Sequence, residues 1–181
     1  TQQAYLKPEA VGTSQAFDEF GHSVAISEDT IVIGAHYESS SSTGINGTPN
    51  ENAIGSGAAY VFVRNEGVWS QEAYLKPAAV GETQEFDQFG YSVAVSGDTV
   101  VVGALREDSA TIGINQAPDE MATNAGAAYV FVRKDREWSQ EAYLKPMAVG
   151  STQLGDQFGT SGSVSGDTVV VGAPWECSSH T

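Results

Sequence analysis

The chain has little cysteine, few basic residues and no long apolar run. Its single cysteine, Cys177, excludes an intrachain disulfide and fits a metal or redox site poorly. Only 8 Lys and Arg residues face 23 Asp and Glu residues, so the formal net charge is −15. This balance argues against nucleic acid, which is bound mostly by neutralising phosphates, and against an anionic membrane surface. No stretch of about 18 apolar residues is present, so we expect no membrane insertion.

What is present suffices for a packed core. Hydrophobic residues make up 40% of the 181 residues and aromatic residues make up 9%. Such a composition is typical of a folded globular chain rather than a disordered one. The acidity indicates a soluble surface, and it leaves a metal cation or a cationic partner open.

The chain repeats itself with a period of 69 residues. A Phe-Gly pair occurs at Phe20-Gly21, at Phe89-Gly90 and at Phe158-Gly159. The segments between the pairs recur without a gap, so that residues 57–64 return as residues 126–133. The chain therefore holds two full periods and part of a third.

Each period reads as four short strands. In the second copy the first strand covers 92–96, and Gly97-Asp98 suits a type II′ hairpin turn because Gly stands first. The same turn in the first copy is Glu28-Asp29, which fits this type less well. The second and third strands, 99–104 and 127–133, are apolar runs typical of strands covered on both faces.

The fourth strand, 138–145, shows an alternating pattern. We place Trp138 and Leu144 on one face, and Tyr143 and Lys145 on the other. Lys145 and Pro146 end the strand, and such residues protect exposed sheet edges from unwanted pairing. We therefore expect the fourth strand at the outer edge of its sheet.

Repeated four-stranded antiparallel units without a helical segment predict an all-β fold, namely a β-propeller built of four-stranded blades. A β-sandwich or a β-solenoid is the structural alternative. Propellers close with about four to eight blades, so the ring is incomplete in this chain. The predicted units are an outer strand in 1–16 that completes a neighbouring blade, blade one in 17–85, blade two in 86–154, and the first two strands of a third blade in 155–181.

An incomplete ring exposes apolar faces that stacked repeats normally cover. We therefore expect closure by missing blades of the same polypeptide or by self-association. The N-terminal strand, 3–7, would then add to the blade of another chain.

The third copy contains Phe158-Gly159 followed by Gly172-Ala173-Pro174. This pattern resembles the FG-GAP repeat, which builds the β-propeller head of integrin α-subunits and of many bacterial secreted proteins. The resemblance implies a secreted or cell-surface, non-enzymatic module for binding or adhesion, with a protein or glycan as its ligand. A purely structural protein that assembles into a ring or filament is the alternative, and a calcium-dependent ligand-binding module is another.

The resemblance also implies calcium, which the family holds in the loop between the first and second strands. A calcium ion takes about six to eight oxygen ligands, and this loop is here a two-residue turn with one aspartate. We therefore do not expect that cage, and we expect each aspartate to hydrogen-bond the backbone of its own turn. These aspartates are Asp29, Asp98 and Asp167.

The long loops between the second and third strands, 36–56 and 105–125, are the richest in polar side chains. The resemblance places them on the face that integrins use for ligands. We expect a ligand or cation site there, or else loops that pack on themselves through Asx turns and proline. The candidate ligand-binding residues are Glu38, Asn46, Glu51, Glu107, Asp108, Asn115, Asp119 and Glu120. If calcium binds, its predicted ligands are Glu107, Asp108, Asp119 and Glu120.

Other polar and aromatic residues read as structural. An aspartate stands two residues before each Phe-Gly pair, and we expect it to cap a turn or to bridge to the next blade. The strand aromatics are expected to pack between blades rather than to stack on sugars. We expect no enzyme, because no histidine recurs and no nucleophile elbow, zinc-binding helix or phosphate loop is present. A pairing of Cys177 with His180 is conceivable. The aspartates that precede the three Phe-Gly pairs are Asp18, Asp87 and Asp156.

Overall fold

The computed structural model describes residues 1–9, 12–78, 81, 83–147 and 153–176, and these residues contain strands but no helix. No helix able to span a membrane is found in these ranges. The strands are β1 Ser23–Ser27, β2 Thr30–Ala35, β3 Ala58–Asn65, β4 Val68–Leu75, β5 Phe89–Ser96, β6 Thr99–Ala104, β7 Ala127–Lys134, β8 Glu137–Leu144, β9 Ser161–Ser165 and β10 Thr168–Gly172.

The strands form three antiparallel sheets, one for each copy of the repeat. The first has the order β1-β2-β3-β4, the second has the order β5-β6-β7-β8, and β9 pairs with β10. Every neighbour in a sheet is also a neighbour in sequence, as in the blade of a propeller. The all-β, four-stranded blades are thus confirmed, and β4 and β8 lie at the outer edges as expected. The ring is not closed.

Two-residue turns join the first two strands of each blade. Ser96 pairs with Thr99, so Gly97 and Asp98 alone form the turn between β5 and β6. Gly97 has a φ of +55°, whereas Asp98 is not in the positive-φ region. Glu28 has a φ of +52° in the first copy, so the same turn forms there despite its side chain. A positive φ at the first turn residue alone is the type II′ pattern.

The blades stack face to face. Val32 and Val61 of blade one share a buried cluster with Val100 and Val102 of blade two, and the ring of Tyr129 joins them. Apolar area removed from water in this way contributes about 25 cal/mol per Å². The prediction that strand aromatics pack between blades is confirmed for this interface. Phe89 stands edge-on against Tyr129 and Phe131, an arrangement that aromatic quadrupoles favour.

Glycines set the distance between adjacent blades. A Cβ placed on Gly34 would collide with the carbonyl oxygen of Gly90, and one placed on Gly103 would collide with that of Gly159. Ser23 Oγ donates a hydrogen bond of 2.8 Å to that same Gly90 oxygen. The Gly-Ala of one blade therefore receives the Phe-Gly backbone of the next, which is why both pairs recur.

A β-bulge in the outer strand corrects the predicted alternation of β8. Val130 pairs with Ala142 and Phe131 pairs with Gln140, so Glu141 has no partner on β7. An extra residue reverses the direction of all side chains beyond it. Trp138 and Tyr143 therefore lie in the same buried cluster, and Leu144 packs in the cluster on the other face. The prediction that Trp138 and Leu144 share a face was wrong.

The bulge residue of blade one ties the two blades together. Glu72 Oε2 accepts hydrogen bonds of 2.8 Å from Arg133 NH1 and from Trp138 Nε1. Arg133 also donates from Nε to Asp98 Oδ1 at 2.7 Å, and Arg64 donates to Asp29 in the same way. We expected Asp29 and Asp98 to hydrogen-bond the backbone of their own turns; instead, each carboxylate pairs with an arginine of its blade's third strand.

The N-terminal segment does not form the strand predicted for 3–7; among the described residues, none of 1–9 is in a strand. It nevertheless contacts blade one in the way that β4, the outer strand of blade one, contacts blade two. Gln3 Oε1 accepts from Arg64 NH1 at 3.5 Å, as Glu72 accepts from Arg133 one period later. Glu9 N likewise donates to Gln71 Oε1 at 2.8 Å, as Ala78 N does to Gln140.

Because the blades approach closely at some glycines only, a methyl group added at those glycines should destabilise the protein more than one added elsewhere. We expect Gly103→Ala to lower the free energy of unfolding by about 1–3 kcal/mol or more, because backbone atoms must move to admit the Cβ. Gly162→Ala is the control, since its Cβ would meet Val101 Cγ1 at 3.6 Å, an ordinary contact. Urea unfolding followed by tryptophan fluorescence measures both. Equal loss in the two variants would contradict this account of the interface.

Candidate functional site

Each long loop reaches from the second strand of its blade to the outer strand, where it is anchored. In blade one the loop runs from His36 to Gly57, and Ile45 forms a β-bridge with Leu75 at the end of β4. Lys76 N donates to Gly44 O at 2.9 Å, and Gly44 N donates to Pro77 O at 2.9 Å. The loop therefore covers one end of the blade as an ordered strap. Blade two repeats the arrangement with a bridge between Ile114 and Leu144.

A buried lysine at the end of the outer strand lies between each loop and its blade and hydrogen-bonds the loop. Lys76 is fully buried, and its Nζ donates to Glu38 Oε2 at 3.3 Å, to Ser40 O at 2.6 Å, to Ser56 Oγ at 2.8 Å and to Gly57 O at 2.7 Å. An ammonium group without water needs such a full set of acceptors. The lysine thus fixes both ends of the loop at once.

Blade two contains a similar cluster, in which Ala125 stands where blade one has Ser56. Lys145 Nζ donates to Glu107 Oε2 at 3.3 Å and to Gly126 O at 2.7 Å, and it also bonds Ser109 O. The prediction that Lys145 protects an exposed edge was therefore wrong, because its side chain is buried under the loop. Pro146 follows at the point where Gly113 N bonds its carbonyl oxygen at 3.2 Å.

Burial governs the protonation of these pairs. It lowers the pKa of Lys76 to about 8, with the charge of Glu38 opposing the shift. It also raises the pKa of Glu107 and lowers the pKa of Lys145, while the attraction between the two opposes both shifts. Tyr143 OH donates to Glu107 Oε1 at 3.0 Å, so both carboxylate oxygens are engaged.

The start of the next blade holds each loop from the side. Phe86 N donates to Ile54 O at 2.8 Å, and Phe89 N donates to Ser56 O at 2.9 Å. Gln84 Nε2 reaches across to Ser41 O at 3.1 Å. The same bonds recur one period later, where Gln153 Nε2 donates to Ala110 O and Thr111 O. Loop and neighbouring blade therefore form one continuous surface.

The asparagines and aspartates of the predicted site bond mostly backbone amides. Asn46 Oδ1 accepts from Tyr74 N at 2.9 Å, and Asn115 Oδ1 accepts from Tyr143 N at 2.8 Å. Asp119 Oδ1 accepts from the amides of Ala110 and Met121, and Asp108 Oδ1 accepts from the amide of Asn124. These are the bonds of loops that pack on themselves.

The glutamates of the predicted site fall into two groups. Glu38 and Glu107 are buried beside their lysines. Glu51 is exposed, and its Oε1 accepts from Ser14 N at 3.2 Å, while Glu120 is half-buried. Glu120 lies close enough to Asp87 to raise the pKa of that carboxyl group. Their assignment as ligand-binding residues stays a prediction.

The residues do not fit a calcium cage. Each two-residue turn offers only one or two carboxylates, and those of Asp29 and Asp98 are bound to arginines. Among the described residues, the only three metal-ligating side chains whose ligand atoms lie within 4.8 Å of one another are Glu19, His22 and His36. Within the part of the chain that the structure describes, Glu107, Asp108, Asp119 and Glu120 do not form such a group, and their assignment as calcium ligands stays a prediction.

The aspartates before the Phe-Gly pairs are placed inside the loop end of each blade. Asp87 O accepts from Arg106 N at 3.3 Å, and Asp18 O accepts from Tyr37 N at 3.3 Å, so it is their backbone that closes the turn. Burial and the nearby Glu38 raise the pKa of Asp18 to about 6. Burial and the nearby Glu107 raise the pKa of Asp87 to about 8. Burial also raises the pKa of Asp156.

Reasoning from the sequence missed the buried lysines, although a signal for them exists. A glutamate and a lysine stand 38 residues apart in both complete repeats, as Glu38 with Lys76 and as Glu107 with Lys145. Two opposite charges that recur together at a fixed spacing indicate a pair. Cys177 and His180, whose pairing was conceivable, lie outside the described residues.

Four-stranded blades that stack through glycine contacts and carry one ordered loop per blade define a repeat module of the β-propeller type. The model of the FG-GAP repeat matches residues 2–62, 69–131 and 138–179. The chain therefore belongs to the FG-GAP repeat family. A comparison with curated proteins finds no match.

The buried lysine predicts a large loss of stability when only one partner is removed. We expect Lys145→Met to lower the free energy of unfolding by about 3–5 kcal/mol, because Glu107 is left buried without its counter-charge. Adding Glu107→Gln should recover part of the loss. Asp29→Asn, which removes a solvent-exposed ion pair, should cost no more than about 1 kcal/mol. A double variant as unstable as Lys145→Met would contradict the pairing; chemical denaturation measures all three.

The raised pKa of Asp87 predicts a pH dependence with a definite sign. Its folded-state pKa, about 8, lies above the ordinary aspartate value of 3.8, so the folded state holds the proton more tightly. The stability that this group contributes is present below pH 4 and is lost as the pH rises toward 8. We therefore expect Asp87→Asn to gain stability relative to the parent between pH 5 and pH 7.5, measured by urea midpoints. A difference that stays constant or shrinks with pH would be evidence against this protonation.

Proposed function

We propose that this chain is a non-enzymatic binding module of a secreted or cell-surface protein, and that it binds a protein or glycan ligand through the loop end of its blades. The observation that carries the proposal is the double anchoring of each long loop. A buried lysine holds it from below and the next blade holds it from the side. A surface fixed in this way loses little conformational entropy when a ligand binds.

The chemistry of this surface supports a ligand with both apolar and basic parts. Ile54 and Met121 stand exposed on the two loops, Met121 with 82% of its surface accessible. Exposed Glu51 and half-buried Asp119 and Glu120 add acidic groups near them. Exposed apolar side chains accompanied by polar ones are typical of protein-interaction sites.

A purely structural role is the second candidate, and one observation favours it. Val24 and Ile26 on β1 are 66% and 65% exposed. The residues one period later, Val93 and Val95, pack against the cluster between blades one and two. A further blade, from the same polypeptide or from another copy, would cover Val24 and Ile26 in the same way.

The binding role predicts saturable binding that depends on the loop end. The purified chain would be applied to an array of glycans and to an array of synthetic peptides of graded Lys and Arg content. We expect binding to a subset, weakened at least about tenfold by Met121→Ser together with Ile54→Ser, since contact residues of this kind contribute about 1–2 kcal/mol each. Val68→Ser is the matched control, because Val68 is 69% exposed at the opposite end of blade one.

Two results would speak against the binding role. One is the absence of binding on both arrays, and the other is an equal loss with the Val68 control. Light scattering on the same samples measures the molar mass. A ring or filament without array binding would favour the structural role, whereas a 19.0 kDa monomer would count against it.

A further inference from the structure

Three side chains with metal-ligating atoms meet at the loop end of blade one. Glu19 and His22 precede β1, and His36 follows β2. Because β1 and β2 are antiparallel neighbours, the start of one and the end of the other lie at the same end of the sheet. One ligand atom from each residue lies within 4.8 Å of the other two.

The three groups are close without bonding one another. Glu19 Oε2 lies 3.7 Å from His22 Nδ1 and 3.7 Å from His36 Nε2, which is too long for a hydrogen bond. The other ring nitrogen, His36 Nδ1, is buried and has no hydrogen-bond partner among the described residues. These distances are slightly longer than the separation of two ligands of a tetrahedral zinc ion, which is about 3.4 Å when each bond is about 2.1 Å.

The backbone holds this arrangement in place. His22 N donates to Glu19 O at 3.0 Å, and Gly21 N donates to Gly34 O at 3.0 Å, so the turn is tied to β2. The Tyr91 ring of blade two lies 4.9 Å from the His22 ring and 5.5 Å from that of His36. The groups are therefore positioned by the stacking of two blades.

Burial disfavours the charged form of the histidine inside the cluster. Burial, helped by the neighbouring His22, lowers the pKa of His36 to about 4. A neutral imidazole retains the lone pair that a metal ion needs. Arg106 also lowers this pKa, and the Glu19 carboxylate raises it. A cation at this point would therefore be repelled by Arg106 and attracted by Glu19.

We propose that Glu19, His22 and His36 bind one divalent transition-metal ion of the zinc type. Two imidazole nitrogens and one carboxylate oxygen are the ligand set that zinc takes, whereas calcium prefers oxygen alone. His22 and Glu19 are solvent-exposed and His36 is buried, so the ion is held from one side and a fourth position faces water. An ion here would link the start of β1 to the end of β2.

The other blades lack the site, so the expected stoichiometry is one ion per chain. In blade two the corresponding positions hold Gln88, Tyr91 and Leu105. In the third copy they hold Gln157, Thr160 and Pro174. The same positions therefore supply substitutions that a blade of this fold already accommodates.

Zinc titration of the 181-residue chain tests the proposal, with calorimetry for affinity and cobalt absorption for geometry. The parent for this test carries Cys177→Ala and His180→Ala, which remove the remaining cysteine and histidine of the chain. We expect one zinc ion to bind, and cobalt to give the intense visible bands of a tetrahedral nitrogen and oxygen site. We expect zinc binding to be weakened by about 10–100-fold or more in each of three variants, His22→Tyr, His36→Leu and Glu19→Gln. Loss of a residue that only hydrogen-bonds a metal ligand already costs that much, and these residues are the ligands themselves.

Thermal unfolding adds a readout that does not rely on calorimetry. Zinc should raise the Tm of the parent and leave that of His36→Leu unchanged, because an ion that binds only the folded state stabilises it. Absence of zinc binding in the parent, or affinity unaffected by His22→Tyr and His36→Leu in variants with native circular dichroism, would overturn the proposal. This proposal is independent of the proposed protein or glycan binding, because zinc can bind whether or not the loop end binds a protein or glycan.

Discussion

The structure depends on the close approach of backbone between neighbouring blades. Gly34 and Gly103 leave room for the carbonyl oxygens of Gly90 and Gly159, and a side chain at either position would force the blades apart. Once the backbones meet, the apolar runs of β2, β3, β6 and β7 lie against one another. The recurring Phe-Gly and Gly-Ala pairs are thus two halves of a single contact, repeated at each junction.

Charge burial extends this contact to the loop end. The lysine at the end of each outer strand passes beneath the long loop and takes its acceptors from a glutamate and from loop carbonyls. Such a pair is costly to desolvate, but once its partners are complete it strongly disfavours any other loop conformation. The first residues of the next blade then bond the loop from outside. The surface at the loop end is therefore a property of adjacent blades together.

Near-identity between the repeats makes their differences informative. Positions that match between blades one and two include those of the junction, the bulge and the lysine cluster. Glu19, His22 and His36 depart from this pattern together, and they meet in space. Three residues that differ from the other repeats and that also meet in space are what a site specific to one blade would produce.

The sequence by itself determined the strands within the blades, the two-residue turns, the blade as the repeating unit and the outer position of β4 and β8. These features depend on residues close together in the chain or on a repeated pattern, and local sequence carries that information. The tertiary structure alone decided that Lys145 is buried, that Glu141 is a bulge and that His22 meets His36. Each of these depends on distances between residues far apart in sequence, which are set only when strands pair and blades stack.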